Sequence, residues 1–349
     1  MVHLTDLDDA ALCAVVEACG GLPFQARQLA HWIYVHGAED LAQCRNLPAA
    51  LRASLGAAGH VLRSTRRLHE TASDDGTRKL LLGLADGETV ETVLIPEGER
   101  NTLCISTQVG CPVGCVFCAS GLGGVKRNLG CGEIVEQVLH GRALLAPGAR
   151  LTNLVVMGMG EPLLNLRNLL PALERIHDPA GIHLGARRIT VSTSGLPERM
   201  REFAAAPHAY NLAVSLHAAD DALRRRLVPT ARAPVAAIVA AALEYFRTKG
   251  REVTFEVVLL AGVNDRPEDA AALVRVLGHQ PCTVNLIPWN PVEEIAGYAR
   301  PADAQVDGFA ERLRTGGVKV TVRRQRGADR DAACGQLRLR GPDGSRRTG

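Results

Sequence analysis

Apolar and polar residues follow each other along this chain in three rhythms, and the changes of rhythm divide it. From residue 5 to about 57, apolar positions recur at helical spacing: Asp6 to Cys19 form one amphipathic run, and Phe24 to His36 a second after a Gly-Gly-Leu-Pro turn. The pattern predicts a small helical module over 1–58. Between Val61 and Ile95 the period shortens, and RKLLLGL and TVETVLIP, separated by Asp-Gly turns, read as strands of a β-rich extension over 59–98. Beyond it, strand-like runs alternate with amphipathic stretches: TLCISTQ then Gly132 to Leu145, LTNLVVMGM then Leu166 to Ile176, RRITVSTSG then Pro197 to Ala205. NLAVSLH, VTFEVVLL, TVNLIPWN and VKVTVRR continue the series, with Pro267 to Leu277 and Ala302 to Leu313 as intervening helices.

Repeated β then α implies a parallel sheet. About seven such units within 99–340 fit a closed or partly open barrel better than a flat doubly wound sheet, because polar residues recur at the carboxyl end of each strand. GMGEP, STSG, SLH and PWNP all sit there, on the face where barrels place active sites. The last residues, 341–349, read as a basic flexible tail.

One segment changes the picture. GCPVGCVFC places Cys111, Cys115 and Cys118 at C-x3-C-x2-C spacing. A four-iron cluster normally takes four thiolates, so three leave one iron open for a small molecule. A structural zinc site wants a closed set of four, and no second C-x2-C or His pair stands at a spacing to close it. Three core cysteines, a zinc site completed by a distant ligand, and a thioredoxin-like pair are the competing readings, and the last lacks a use for a third thiol.

Composition narrows the setting. The 349 residues are 46% apolar and 22% charged, as in folded soluble proteins, and no apolar run reaches membrane-spanning length. MVHLTDLDDAAL is too acidic for a signal peptide, so ten cysteines are expected as reduced thiols in a cytoplasmic protein. The net charge of +3 is unevenly spread. From Arg312 onward there are eleven Lys or Arg against Asp329, Asp331 and Asp343, a balance that suits a polyanionic partner, a solvated basic surface being the competing reading. With aromatics at 3%, no stacking platform for single-stranded nucleic acid is visible.

The cysteine motif resembles that of radical S-adenosylmethionine (SAM) enzymes. Together with MGMGEP (157–162), STSG (192–195), SLHA (215–218), PWNP (288–291) and DAACGQL (331–337), it resembles the RlmN/Cfr group of radical SAM methyltransferases, which act on adenosine in 23S ribosomal RNA. The likeness runs from the Phe24 to Tyr34 helix to Leu337. It implies an α/β fold: a partial (β/α)6 TIM-type radical SAM barrel with a β extension and a small N-terminal helical accessory domain that binds RNA.

The resemblance also assigns roles. Cys111, Cys115 and Cys118 match the ligands of a [4Fe-4S] cluster, whose open iron would chelate SAM. Gly160 and Glu161 match the segment binding the SAM amino group, where a carboxylate suits an ammonium. Ser192, Ser215, Leu216, His217 and Asn290 match further SAM contacts. Cys334 matches the residue that is first methylated, Cys104 the thiol that later resolves a covalent RNA adduct, and Glu91, in VETV, a proposed proton acceptor. The implied chemistry methylates Cys334 with one SAM, then uses a radical from a second to activate the S-methyl group for addition to adenine carbon 2. That carbon is too electron-poor to attack SAM directly. A Cys104 to Cys334 disulfide results and is reset by external thiols or a reductase. Cys13, Cys19, Cys44, Cys131 and Cys282 match nothing functional.

The implied partners are 23S rRNA, a tRNA adenosine as a further substrate that the sequence leaves open, and an electron donor such as flavodoxin, with a monomer as the expected state. Because a stacked base must be extruded, phosphate contacts are needed. Arg323, Arg324 and Arg326, and Arg63, Arg66 and Arg67, are the candidates, salt bridges within the fold being the competing reading for them. GEPLLN and PWNP resemble the carbon-2 group of that family rather than the carbon-8 group. Val125, where an aromatic is common, and Arg330, replacing an aliphatic, bear on substrate range. The reading from another class, an RNA-binding protein with a structural metal, has no use for Cys104 and Cys334.

Overall fold

The structure, a computed structural model, describes residues 2–323, 327, 330–341, 343 and 345. The chain opens with a short strand β1 (Val2–His3) and three helices, α1 (Asp9–Ala18), α2 (Pro23–Tyr34) and α3 (Ala49–Ala57), and returns through β2 (His60–Val61), which pairs in parallel with β1. The starts of α1 and α2 follow from local chemistry. The Asp8 carboxylate accepts the Ala11 amide at 2.8 Å, and Pro23 occupies the first turn, where no amide hydrogen is missed.

One ten-stranded sheet forms the rest of the frame. β3 (Arg66–Ala72), β4 (Arg78–Gly83), β5 (Thr89–Glu97) and β6 (Arg100–Cys104) are antiparallel neighbours. From β6 the sheet continues in parallel order through β9 (Asn153–Val156), β10 (Ile189–Thr193), β11 (Asn211–Ser215), β12 (Val253–Leu259), β13 (Cys282–Pro288) and β14 (Lys319–Val322). The crossovers carry α4 (Cys131–Arg142), α5 (Leu166–His177), α6 (Pro197–Ala204), α7 (Asp221–Leu227) with α8 (Val235–Lys249), α9 (Pro267–Leu277) and α10 (Asp303–Thr315). Six βα units followed by a seventh strand make the partial barrel expected from the sequence, open between edge strands β3 and β14. Parallel strands covered on both faces explain the near-continuous apolar runs, and Leu154, Val156, Val191, Val214, Val257 and Leu286 are fully buried.

One strand reading is corrected. TLCISTQ is not one strand: β6 stops at Cys104, and β7 (Gln108–Gly110) pairs instead with β8 (Val125–Asn128) in a separate ribbon. Side chains from α4 and the strand end divert the backbone here. The Gln137 amide accepts from the Ser106 N–H at 2.8 Å and donates to the Ser106 carbonyl at 2.9 Å, while Ser106 Oγ donates to the Glu91 carbonyl at 2.7 Å. With its backbone satisfied by side chains, the chain leaves the sheet without an orphaned polar group. The loop bearing the three-cysteine motif hangs on this ribbon.

The helical module is tied to the barrel through α4. Buried Glu136 accepts hydrogen bonds from Thr5 Oγ1, from the Ser64 and Thr65 amides at 2.9 and 2.7 Å, and from Thr65 Oγ1 at 2.6 Å. One turn on, His140 sits 3.0 Å from Thr65 Oγ1. Burial first, then the charges of Arg63 and Arg67, hold its pKa down to about 4. The folded state therefore keeps the ring neutral, whereas the unfolded chain protonates it near the usual value of about 6.5. Its stabilising contribution is complete above about pH 6.5 and is lost as pH falls toward 4, a difference on the order of 3 kcal/mol. Thermal midpoints of wild type and His140→Gln at pH 7 and pH 5 check this: the acid-induced drop is expected to be smaller in the variant, and equal drops would contradict it.

Candidate active site

The carboxyl ends of the parallel strands open into a cleft. Eleven of the thirteen residues singled out from the sequence line it: Cys104, Cys111, Cys115, Cys118, Gly160, Glu161, Ser192, Ser215, His217, Asn290 and Cys334. Leu216 and Glu91 do not.

Cysteine placement starts at the ribbon. Gly110 has φ +81°, and a Cβ there would lie 2.0 Å from the Gly124 carbonyl oxygen, so only glycine lets the two strands close up. The Cys111 amide then donates to that same carbonyl at 2.9 Å. Beyond it, Trp289 Nε1 donates to the Phe117 carbonyl at 2.9 Å, fixing the loop against the end of β13. All three thiols are pushed up in pKa, first by burial, Cys111 to about 12. Cys115 is raised further by Cys118, Cys111 and Glu161, so three thiolates here are tenable only around a cation. The donor set fits an iron cluster. Among the described residues no three Cys, His, Asp or Glu side chains stand close enough to hold one metal ion. Thiolates of a four-iron cluster instead ligate separate irons.

Glu161 is 2% exposed; its carboxylate accepts the Leu163 amide at 3.1 Å and the Ser194 amide at 2.6 Å. Burial still pushes its pKa up, despite those hydrogen bonds, so a cationic ligand would be welcome. Gly160 before it has φ +110°, and a Cβ would lie 2.8 Å from Thr107 Oγ1. Gly160→Ala is expected to cost at least about 2 kcal/mol and to move Glu161 off its site. A lower thermal midpoint with weakened SAM binding checks this; an unchanged pair of values would contradict it.

His217, at φ +62°, accepts the Val258 amide on Nδ1 at 3.2 Å, which leaves Nε2 to carry the ring proton. Burial, then Arg224, hold its pKa down to about 3, so it is a neutral donor. Asn290 Nδ2 donates to the Cys334 carbonyl at 3.0 Å, while its Oδ1 is buried with no hydrogen-bond partner among the described residues. An orphaned acceptor on a cavity wall suits a bound donor, and together with Glu161 and His217 it fits SAM.

The segment after β14 covers this cleft. Ala119 N donates to the Gly335 carbonyl at 2.8 Å, Ser120 Oγ to the Leu337 carbonyl at 2.6 Å and Gln336 Nε2 to the Pro291 carbonyl at 2.9 Å, so Cys334 is held beside the cysteine loop. Cys104, at the end of β6 and 8% exposed, lines the same cleft, its carbonyl accepting from Thr92 Oγ1 at 2.6 Å. All ten cysteines are free thiols in the structure. Cys44 and Cys282 are buried, while Cys13, Cys19 and Cys131 pack against the core, away from the cleft.

Two placements differ from the sequence reading. Glu91 is fully buried one layer behind the wall, neither solvent-facing nor lining the cleft. Its carboxylate pairs with Lys79 and Arg340, each at 3.0 Å, and accepts the Arg338 amide at 2.9 Å. Leu216 is also behind the wall, with its carbonyl accepting from Arg224 Nε at 3.2 Å. The basic carboxyl-terminal stretch is partly turned inward: Arg338 pairs with Glu294 and Asp331, and Arg340 with Glu91 and Asp331, so neither adds to a free basic surface. Arg63 is consumed by the Gly37 and Ala38 carbonyls and Glu39, and Arg323 lines the cleft, whereas Arg66 and Arg67 are exposed. Arg324 and Arg326 lie outside the described residues.

Sequence reasoning missed several supports. Arg224, 1% exposed, holds the strand-end carbonyls of Ser194, Ser215 and Leu216 together. Asn264 Nδ2 binds the His217 carbonyl at 2.9 Å, and Glu256 lines the cleft from β12. No helix among the described residues is long and apolar enough to cross a membrane.

Comparison with known proteins agrees with this geometry. Residues 105–274 match the radical SAM superfamily, and residues 2–61 match the ribosomal RNA large subunit methyltransferase N-terminal domain. A probable dual-specificity RNA methyltransferase RlmN of Symbiobacterium thermophilum is 46% identical over 318 residues, covering 91% of this chain and 86% of that one. The dual-specificity RNA methyltransferase RlmN of Anaeromyxobacter dehalogenans is 44% identical over 351 residues, covering 99% and 94%. A radical SAM methyltransferase from Sphaerobacter thermophilus, solved by crystallography, superposes with a TM-score of 0.93 at 44% identity over 97% of this chain and 99% of that one. The three-cysteine loop, the polar strand ends and this likeness over nearly the whole length place the chain in the RlmN family of radical SAM RNA methyltransferases.

Proposed function

We propose that this protein methylates carbon 2 of adenosine in 23S rRNA, and an adenosine in tRNA as a second substrate, through a methylcysteine at Cys334. The observation that carries this reading is that Cys104 and Cys334, which a mere metal-bearing scaffold has no use for, line the same cleft as the three-cysteine loop.

Cys111, Cys115 and Cys118 would hold the [4Fe-4S] cluster, Glu161 would accept the SAM ammonium, and Ser192, Ser215, His217 and Asn290 would orient the rest of that molecule. When bound, cluster and SAM supply the methyl group and the hydrogen-abstracting radical. Cys334 is presented to them by a segment bonded to the loop at Ala119 and Ser120 and to Pro291 beyond β13. Its sulfur takes the methyl group and carries it to the base. Cys104, lining the same cleft, then attacks that sulfur and frees the product. Glu91 anchors the covering segment; for it to accept a proton, Lys79 and Arg340 must first release its carboxylate. Arg66 and Arg67, exposed beside the helical module, are assigned to RNA phosphates, with that module as the RNA-binding accessory domain. The cluster needs an electron donor such as flavodoxin, and a cytoplasmic monomer suits that supply.

Nucleoside mass spectrometry after incubating anaerobically reconstituted protein with unmodified 23S rRNA, a tRNA pool, SAM and reductant tests this. 2-Methyladenosine is expected in both RNAs. 8-Methyladenosine would move the chemistry to the other carbon, and 2-methyladenosine in rRNA alone would remove tRNA from the substrates.

A further inference from the structure

Arg323 is the one Lys or Arg among the described residues lining the cleft. It directly follows β14, with its amide bonded to the Leu286 carbonyl at 2.8 Å. Glu256 lines the same wall from two strands away, and the intervening side chains are fixed: Thr321 Oγ1 donates to Asn285 Oδ1 at 2.8 Å, and Asn285 Nδ2 donates to Glu256 Oε2 at 2.8 Å. A three-strand hydrogen-bond chain thus fixes the Glu256 carboxylate in the cleft that Arg323 also lines. The position also shares its cleft with both reactive thiols. Resting on the function proposed above, we propose that Arg323 is a positioning residue for product release, its cation favouring the Cys104 thiolate that attacks Cys334.

The step it would serve balances as follows. The Cys104 thiolate attacks the Cys334 sulfur of the cysteine–methylene–adenine adduct, an S–S bond forms, and the S–CH2 bond breaks. Its electron pair goes to the methylene carbon, which takes a proton and becomes the methyl group. The two sulfurs are oxidised to a disulfide and the carbon is reduced. An external dithiol then reduces the disulfide.

This attack has an electrostatic obstacle. Burial first, then Cys334, push the Cys104 thiol up to about 12, while Arg323 and the Met157 amide pull the other way. Cys334 on the covering segment, Arg323 after the end of β14 and Met157 after the end of β9 all line the cleft with Cys104. Arg323 is itself buried, and the Glu256 carboxylate on the same cleft opposes the loss of its charge. Removing the cation would leave burial unopposed except by one amide.

The test uses the anaerobically reconstituted full chain and two variants, Arg323→Gln and Arg323→Lys. Two quantities are followed against pH: release of the RNA–protein adduct in a single turnover, and alkylation of Cys104 by iodoacetamide without RNA, read on its peptide. Since one unit of thiol pKa is a tenfold change in thiolate at fixed pH, Arg323→Gln is expected to slow both about tenfold near neutrality. The deficit should shrink as pH rises, Arg323→Lys should recover most of it, and adduct formation should persist. Wild-type release and alkylation in Arg323→Gln would overturn the proposal. So would lost adduct formation with unchanged Cys104 alkylation, which would make Arg323 a phosphate contact. If the wild type itself forms no adduct, the proposed reaction fails, and Cys104 alkylation alone then decides the role of Arg323.

Discussion

Cys104→Ala is expected to convert the enzyme from one that turns over to one that stops as a covalent RNA–protein adduct on Cys334. Cys104 and Cys334 line one cleft, one at the end of β6 and the other on the segment that covers the strand ends. Alanine removes the attacking sulfur and leaves the frame alone, because Cys104 contributes its backbone carbonyl to Thr92 and the residue itself is small. Cluster content and SAM cleavage should therefore match wild type, while methylated RNA release falls to background and adduct accumulates to about one per chain, as a single trapped turnover requires. Denaturing gels with labelled RNA, followed by peptide mapping to Cys334, read the result. Normal turnover without adduct would remove Cys104 from the mechanism.

Changing Cys111, Cys115 and Cys118 together to alanine is the second large effect. The wild type, anaerobically reconstituted, should bind about four irons per chain and turn brown, and the triple variant should lose both with all SAM cleavage. The fold should survive, because the loop is held by the Cys111 amide, the Phe117 carbonyl and Gly110, none of which needs a thiol. Far-ultraviolet circular dichroism close to wild type, with iron absent, is the expected pair of readings. One zinc per wild-type chain with no iron would contradict the cluster assignment.

The sequence was most legible where chemistry is local. Strand ends in a parallel barrel all face one way, so the strand pattern alone gathers GMGEP, STSG, SLH and PWNP on one face, and the structure puts them around one cleft. The break after Cys104 was illegible because its causes are distant: the Gln137 amide, 31 residues on from Ser106, and the pairing of β7 with β8 across the cysteine loop. Arg224 was hidden for another reason. In LRRRL it reads as part of a charged helix face, and only its burial shows that it clamps three strand-end carbonyls. Charge counting failed similarly at Arg338 and Arg340, where cations near the chain end are paired with Glu91, Glu294 and Asp331 rather than offered to RNA. Glu256 stands in an apolar strand, and nothing in its neighbours marks it as lining the cleft rather than capping a core polar group.

The most direct test of the central claim is the origin of the product methyl group. Enzyme would be methylated in advance with SAM bearing a deuterated methyl group, stripped of excess, and given one turnover with RNA and unlabelled SAM. If Cys334 carries the group, the first 2-methyladenosine formed contains deuterium, with one deuterium lost to the abstracting radical. Unlabelled product from that turnover, with the deuterated methyl still on the protein, would show direct transfer from SAM and contradict the role of Cys334.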